Sequence, residues 1–462
     1  MKRISSLFLA LVLALVLIFS AVPAGAAVYT PDVELYSQAY MLINLDDNGY
    51  PVVAQKNQDA KMYPASLTKI VTAMVTLQNV QDLSATTSVS QSAYDVLLGT
   101  GAQVANLKVG ETLSIEQLLY LTMVHSACDA TEVLAEYVGG SREAFVEMMN
   151  EYAASLGCEG THFVNPDGLH DENHYTTAAD MAKISLDAIQ NSTFMKIATT
   201  VQYEYNGSNF YHTNLMLRSG YVSYYYKYAK GIKTGSTDAA GYCVVTTASK
   251  DGYNYLAIVM GAPIMDYNND GYQEKCSFID AATLFNWAFN SLKYSTLVQQ
   301  NEMLDEIAVK DGKDADSVRL VAKEDVTAIV PASLDKSTII IKAKDKPESI
   351  SAPISQGDDV CTAEIIYGDE VVATVELVAA ETVELSTFLK IINAVKTFFG
   401  LTIVKIAFLV LLLFIVVYAS MAYSNYKKKE ARRRKRAEAA EKEQEQRRSY
   451  DDDNPLPPPA RR

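Results

Sequence analysis

Three short stretches of the chain carry side chains able to do covalent chemistry. The first, Tyr63-Pro64-Ala65-Ser66-Leu67-Thr68-Lys69, sets a hydroxyl and an amine three residues apart. On a helix that spacing puts both on one face. A serine at a helix N-terminus has its backbone N–H at the positive end of the dipole, where a developing oxyanion is stabilised. A lysine in a partly buried site, its pKa lowered by desolvation, can take the serine proton as general base. Taken alone, the pair describes a helix cap followed by a solvated lysine equally well. The second stretch is His125-Ser126-Ala127-Cys128-Asp129-Ala130, and the third is Gly231-Ile232-Lys233-Thr234-Gly235-Ser236. Ser126 follows Ser66 by 60 residues, and Lys233 follows Ser126 by 107.

Positioning these groups requires a rigid frame. Ala39 to Leu45 reads as a strand, Asp46-Asp47-Asn48-Gly49 as a hairpin turn, and Tyr50 to Gln55 as the returning strand. A helix follows Pro64 with Ile70, Met74 and Leu77 on one stripe. Ser114 to Met123, Asp129 to Val138, Arg142 to Leu156 and Thr177 to Ile189 show apolar residues at helical spacing. Strands return at Tyr242 to Ala248 and Tyr255 to Met260, and a helix at Ser277 to Leu292 packs back on them. The pattern predicts an α+β domain over 27–297: a sheet made from both ends of the segment, with a helical block inserted between them. Beyond it, Ser317 to Val321, Ser337 to Lys342, Ala363 to Tyr367 and Val371 to Val378 predict a small all-β domain over 298–385, suited to a spacer.

Two apolar runs set the topology. Lys2 and Arg3, the run Leu7 to Val22, then Pro23 and small residues have the layout of a cleavable signal over 1–26. Leu401 to Ala422 is long enough to cross a bilayer, which predicts a linker over 386–400 and a transmembrane helix over 401–423. The cluster Lys427, Lys428, Lys429, Arg432, Arg433, Arg434, Lys435 and Arg436 puts the C-terminus in the cytoplasm and the enzyme-like domain outside it. Residues 424–462, charged and then Pro-rich, read as a disordered tail. The net charge of −15 hides a division. The signal carries +2 and residues 427–462 carry 13 basic and 8 acidic side chains, which leaves −22 between them. An acidic exported segment argues against a nucleic-acid partner held by phosphate contacts. Five scattered cysteines predict buried free thiols rather than a disulfide scaffold.

The order of the three motifs resembles the serine D-alanyl-D-alanine carboxypeptidases, low-molecular-mass penicillin-binding proteins related to serine β-lactamases. That family pairs Ser-x-x-Lys with Ser-x-Asn and Lys-Thr-Gly. The similarity extends through Leu107-Lys108-Val109-Gly110-Glu111, Phe163-Val164-Asn165-Pro166-Asp167-Gly168-Leu169, His174-Tyr175-Thr176-Thr177-Ala178 and Ala240-Gly241. It implies a β-lactamase/transpeptidase-like fold, an acyl-enzyme on Ser66, Lys69 as acylation base, and proton relay through Ser126 and Lys233. Lys233 and Thr234 would hold the terminal carboxylate, and the backbone N–H groups of Ser66 and Ser236 would form the oxyanion hole. Gly235 would let a substrate backbone lie along the edge strand. The implied substrate is a peptidoglycan stem peptide ending in D-Ala-D-Ala, with β-lactams as covalent inhibitors. The serine chemistry calls for no metal or organic cofactor.

Cys128 departs from the family's asparagine, and a thiol is a weak donor and acceptor. An active enzyme of altered efficiency, an acyl-transferring variant and a non-catalytic binding protein remain open on that residue, with a β-lactamase as the rival enzyme. His170 and His174 sit near Asp167 and Asp171, but the local Pro-Asp-Gly composition favours a loop over a zinc site. His125 reads as a packing residue. Tyr221, Tyr224, Tyr225, Tyr226 and Tyr228 either line a peptide groove or form a tyrosine-rich face beside the sheet.

Overall fold

The computed structural model describes residues 27–453 apart from Asn48 and Asp369. The signal segment 1–26 and the Pro-rich end, 454–462, lie outside the described residues. Two compact units emerge. The first runs to Asp305 and takes in Val321–Lys346 and Asp359–Val378; the second comprises Glu306–Leu320, Pro347–Asp358 and the chain from Ala379 onward.

The first unit opens with β1 (Ala39–Asn44) and β2 (Val52–Lys56). A helical block follows: α1 (Lys69–Asn79), α2 (Ile115–Tyr120), α3 (Cys128–Gly139), α4 (Arg142–Ser155) and α5 (Ala178–Gln190). The chain then returns as β3 (Ala229–Thr237), β4 (Gly241–Lys250), β5 (Tyr253–Ala262) and α6 (Cys276–Ser291). The sheet order is β2-β1-β5-β4-β3 and every pairing is antiparallel. Strands from both ends of the segment thus enclose the helical block, as the sequence pattern predicts.

Side chains alternate across a strand, and here both faces are covered. Ala39, Met41 and Ile43 of β1 enter a core shared with α1 and the helical block, while Tyr40 and Leu42 enter a second core against α6. Leu256 and Ile258 of β5 face the first core, and Tyr255 and Val259 the second. Each such large apolar side chain contributes roughly 1.5–3 kcal/mol by leaving water. The sandwiched sheet is therefore a stiff platform, and β3 is its free edge.

After α6 the chain is built from strands. β6 (Leu292–Val298) pairs with β7 (Val326–Pro331), and Asp359–Tyr367 pairs with both Ile340–Lys344 and Glu370–Ala379. The second unit holds a parallel pairing of Ala308–Lys310 with Ser349–Ser351.

Two readings of the C-terminal part need correction. The linker over 386–400 is the helix α7 (Thr387–Gly400), capped by Ser386, whose Oγ accepts from Leu389 N at 3.3 Å. The stretch read as a disordered tail continues helix α8 (Thr402–Asp453) up to Asp453. Its Ala, Glu, Gln, Lys and Arg residues are strong helix formers, with Glu430–Arg434 and Glu443–Arg447 ion pairs one turn apart. Low hydrophobicity and high charge describe a solvated helix as readily as a disordered one. The apolar part of α8 is long enough to cross a membrane.

Candidate active site

Ser66 lies in a 3-10 turn, Ala65–Thr68, that runs directly into α1. The turn is shaped by its neighbours. Ala65 adopts φ 47°, and the Asn165–Leu169 loop lies against it so closely that a Cβ on Gly168 would stand 2.0 Å from Ala65 O. Thr68 Oγ1 donates to Ala65 O at 2.8 Å and receives His174 Nε2–H at 2.8 Å. The other imidazole nitrogen, Nδ1, accepts from Val164 N at 3.1 Å, which sets the tautomer. Burial lowers the His174 pKa to about 3, so the ring is neutral. His174 is therefore a brace for the Ser66 turn, with both nitrogens occupied, rather than half of a zinc pair.

Lys69 is fully buried in the first turn of α1. Its Nζ lies 3.1 Å from Ser66 Oγ, 2.5 Å from Asp167 O and 3.3 Å from Cys128 Sγ. The second lysine arrives from the sheet edge. Lys233 and Gly235 share one face of β3 by the strand's two-residue period. Lys233 Nζ lies 2.9 Å from Ser126 Oγ and 2.9 Å from Thr234 O. Burial first, then the charge of Lys69, hold the Lys233 pKa well below its ordinary value. A lysine so perturbed is suited to proton transfer.

Ser126 ends a π-helical turn, Leu121–His125, in the left-handed region at φ 64°. The turn lets α2 stop and α3 begin with Cys128, aiming Ser126 and Cys128 into the same space. Gly235 has a different reason from the one expected. A Cβ there would meet Pro64 O at 2.7 Å and Ser66 N at 3.0 Å, so the missing side chain lets the edge strand close on the Ser66 turn. Thr234 Oγ1 donates to Thr213 Oγ1 at 2.7 Å, and Ser236 is exposed on the opposite face from Lys233.

These groups open on one cleft of about 610 Å³, lined among others by Ser66, Ser126, Cys128, Thr234, Gly235 and Ser236. Cys128 is a free, buried thiol, as are Cys158, Cys243 and Cys276, while Cys361 is free and half-buried. Burial, ahead of the opposing pull of Lys69, raises the Cys128 pKa, so it is present as the thiol.

Some groups escaped sequence reasoning. Asp167 supplies a backbone carbonyl to Lys69, a role no side-chain pattern can announce. Behind it lies Glu132, buried and bonded to Arg142 Nε at 3.0 Å. Burial, then the charge of Asp167, push the Glu132 carboxyl up to about 8. Asp167 Oδ2 is buried with no hydrogen-bond partner among the described residues. Glu132 sits one turn after Cys128 on α3, and its place among apolar residues was the available signal. The tyrosine cluster is structural: Tyr224 packs on Phe278 and Tyr226 on Phe285, with Tyr221 and Tyr225 exposed. His125 packs edge-on against Phe210.

Comparison with known proteins gives this geometry its relatives. Residues 25–264 match the D-alanyl-D-alanine carboxypeptidase family, and residues 293–385 match the C-terminal domain of penicillin-binding protein 5. The chain belongs to the D-alanyl-D-alanine carboxypeptidase family. Its activity class is accordingly that of a serine carboxypeptidase working through an acyl-enzyme. It is 27% identical over 358 residues to the Bacillus subtilis D-alanyl-D-alanine carboxypeptidase DacF, covering 77% of this chain and 88% of that one. It is 33% identical to a Streptomyces D-alanyl-D-alanine carboxypeptidase over 45% of this chain and 75% of the relative. The solved structure of penicillin-binding protein 5 from Haemophilus influenzae superposes with a TM-score of 0.57 at 25% identity, covering 77% of this chain and 99% of that one.

Proposed function

We propose that Ser66 is the nucleophile that removes the terminal D-alanine from peptidoglycan stem pentapeptides. The observation that carries this reading is the pair of lysine–serine contacts, Lys69 to Ser66 and Lys233 to Ser126, opening on one cleft beside a free strand edge. An edge strand offers unpaired backbone groups to an extended peptide, and β3 is such an edge. Lys69 takes the proton as Ser66 Oγ bonds to the penultimate D-alanine's carbonyl carbon. The backbone N–H groups of Ser66 and Ser236 hold the oxyanion, each donor worth a few kcal/mol in the barrier. Ser126, with Lys233 behind it, delivers a proton to the departing amine as the C–N bond breaks. Lys233 and Thr234 hold the D-alanine carboxylate. Water then releases the peptide from Ser66.

The same reading covers location. A signal at 1–26 exports the domain, α8 anchors it in the cell membrane, and the basic cluster from Lys427 to Arg436 keeps the C-terminus cytoplasmic. β-Lactams acylate Ser66 as mimics of the D-Ala-D-Ala end. The strand-rich segment after 298 and the anchor favour a carboxypeptidase over a β-lactamase.

D-alanine release from a pentapeptide, run beside fluorescent-penicillin labelling, tests the assignment. Release by the wild type, with both signals lost in Ser66→Ala, is the expected result. Rapid hydrolysis of the drug without D-alanine release would replace it with a β-lactamase, and a folded protein giving neither signal with a binding protein.

A further inference from the structure

A short loop beside the active-site wall has the composition and geometry of a calcium site. Between the paired strands Ile264–Met265 and Glu274–Lys275 the chain reads Asp266-Tyr267-Asn268-Asn269-Asp270-Gly271-Tyr272-Gln273. Oxygen-bearing side chains at alternate positions followed by glycine are the first half of a calcium-binding loop, in which the glycine permits the sharp turn around the ion. Gly271 takes up φ 89°. Asp266 folds the loop about its own carboxylate, accepting from Asp270 N at 3.0 Å and Gly271 N at 2.9 Å, and Tyr272 N donates to Asp270 Oδ1 at 2.9 Å.

The observation that points to a ligand is separate from that geometry. The loop departs from the longer calcium motif, which places a glutamate twelve residues from its start. Strand pairing instead sets Glu274 opposite Met265, next to Asp266. Glu274 is only 7% exposed, and its Oε2 is buried with no hydrogen-bond partner among the described residues. Carboxylate oxygens of Asp266, Asp270 and Glu274 lie within 4.8 Å of one another. A buried carboxylate oxygen without a donor, facing two like charges, is unfavourable unless a cation sits among them.

We propose that Asp266, Asp270 and Glu274 bind one divalent calcium ion, with Asn268, whose Nδ2 donates to Asp270 Oδ2 at 3.0 Å, orienting the Asp270 carboxylate. The ligands are carboxylate oxygens only, a hard donor set that fits calcium rather than zinc. The ion has a structural task, since the serine chemistry needs no metal. Glu274 is followed by Lys275, whose N–H donates to Tyr224 Oη at 2.9 Å and whose side chain lines the catalytic cleft together with Ser277 and Phe278. Calcium would thereby hold one wall of the cleft in register with α6.

The test is thermal unfolding of the full chain in detergent micelles after chelation, followed by titration of CaCl2 and calorimetric stoichiometry. Extracellular calcium sites have dissociation constants of about 10⁻⁴–10⁻³ M, so about 10 mM CaCl2 should raise Tm by roughly 3–10 °C with one ion bound per chain. The double variant Asp266→Asn with Asp270→Asn should lose both the shift and the binding heat while still labelling with penicillin at Ser66. An unchanged wild-type Tm, a shift that survives in the double variant, or an equal shift with MgCl2 would each overturn the proposal. The wild-type titration decides the matter even if the double variant does not fold.

Discussion

Cys128 stands where the family's amide would bond both the base lysine and a substrate carbonyl, and its sulfur sits 3.3 Å from Lys69 Nζ. A missing hydrogen bond of this kind costs about 1–3 kcal/mol, one to two powers of ten if it acts in the transition state. Cys128→Asn should therefore raise the rate of penicillin acylation by about 10- to 100-fold, read from fluorescent labelling; an unchanged rate would remove the residue from the chemistry. Buried titratable groups at this scale also set the pH dependence of stability. His174 and His212 both have pKa values lowered to about 3 by burial, so the unfolded chain binds more protons below its ordinary 6.5 and stability is lost as pH falls through that window. Glu132 acts in the opposite sense. Its carboxyl is raised from 4.5 to about 8, so the folded chain binds more protons between those values and stability is lost as pH rises. Between pH 7 and 8 the loss from Glu132, about 1 kcal/mol, outweighs the opposite contribution of the two histidines, about 0.1 kcal/mol each. Urea unfolding at the two pH values should show that fall in the wild type and a flat response in Glu132→Gln.

At the scale of elements, the site depends on two backbones approaching the Ser66 turn from opposite sides. Gly168 brings the Asn165–Leu169 loop onto Ala65 O, and its φ of +83° adds strain for any other residue. Gly168→Ala should cost about 3–5 kcal/mol, among the largest single-substitution losses. Gly110 has a similar φ of +84° with open space around it, so Gly110→Ala should cost only about 1–2 kcal/mol. Comparing the two melting temperatures separates contact from backbone strain. Gly235 carries no positive φ, and its cost is purely the collision with Pro64 O and Ser66 N. Gly235→Ala should accordingly suppress acylation far more than it lowers Tm, measured on the same sample. Equal acylation in the two proteins would mean that the strand edge need not touch the Ser66 turn.

For the whole molecule, α8 gives a membrane-length apolar segment that continues as a charged helix to Asp453. Deleting everything after Leu385 should release a soluble protein that labels with penicillin at the wild-type rate, because the cleft is lined entirely by residues between Ser66 and Phe278. Retention of the truncated protein on membranes would assign the anchor elsewhere. Periodicity made the sandwiched sheet, the helical block and the strand-rich segment legible, since each buries a repeating apolar face. The charged helix beyond the apolar run was not legible, because composition alone does not separate a solvated helix from a disordered chain. Ser66, Lys69, Ser126 and Lys233 could be read as a set from their order and family resemblance. The alternation Asp266, Asn268, Asp270 was equally open to reading, but a run of polar residues means little until Glu274 is known to be buried beside it. By itself, then, the sequence determined which groups are available and which elements carry them, because residue type and local period are properties of the chain alone. Tertiary structure decided that Asp167 offers its backbone oxygen to Lys69, that His174 braces Thr68, that Glu132 is buried against Arg142 behind the site, and why position 235 is glycine. Each of those facts is a distance between segments far apart along the chain, and only packing brings them together.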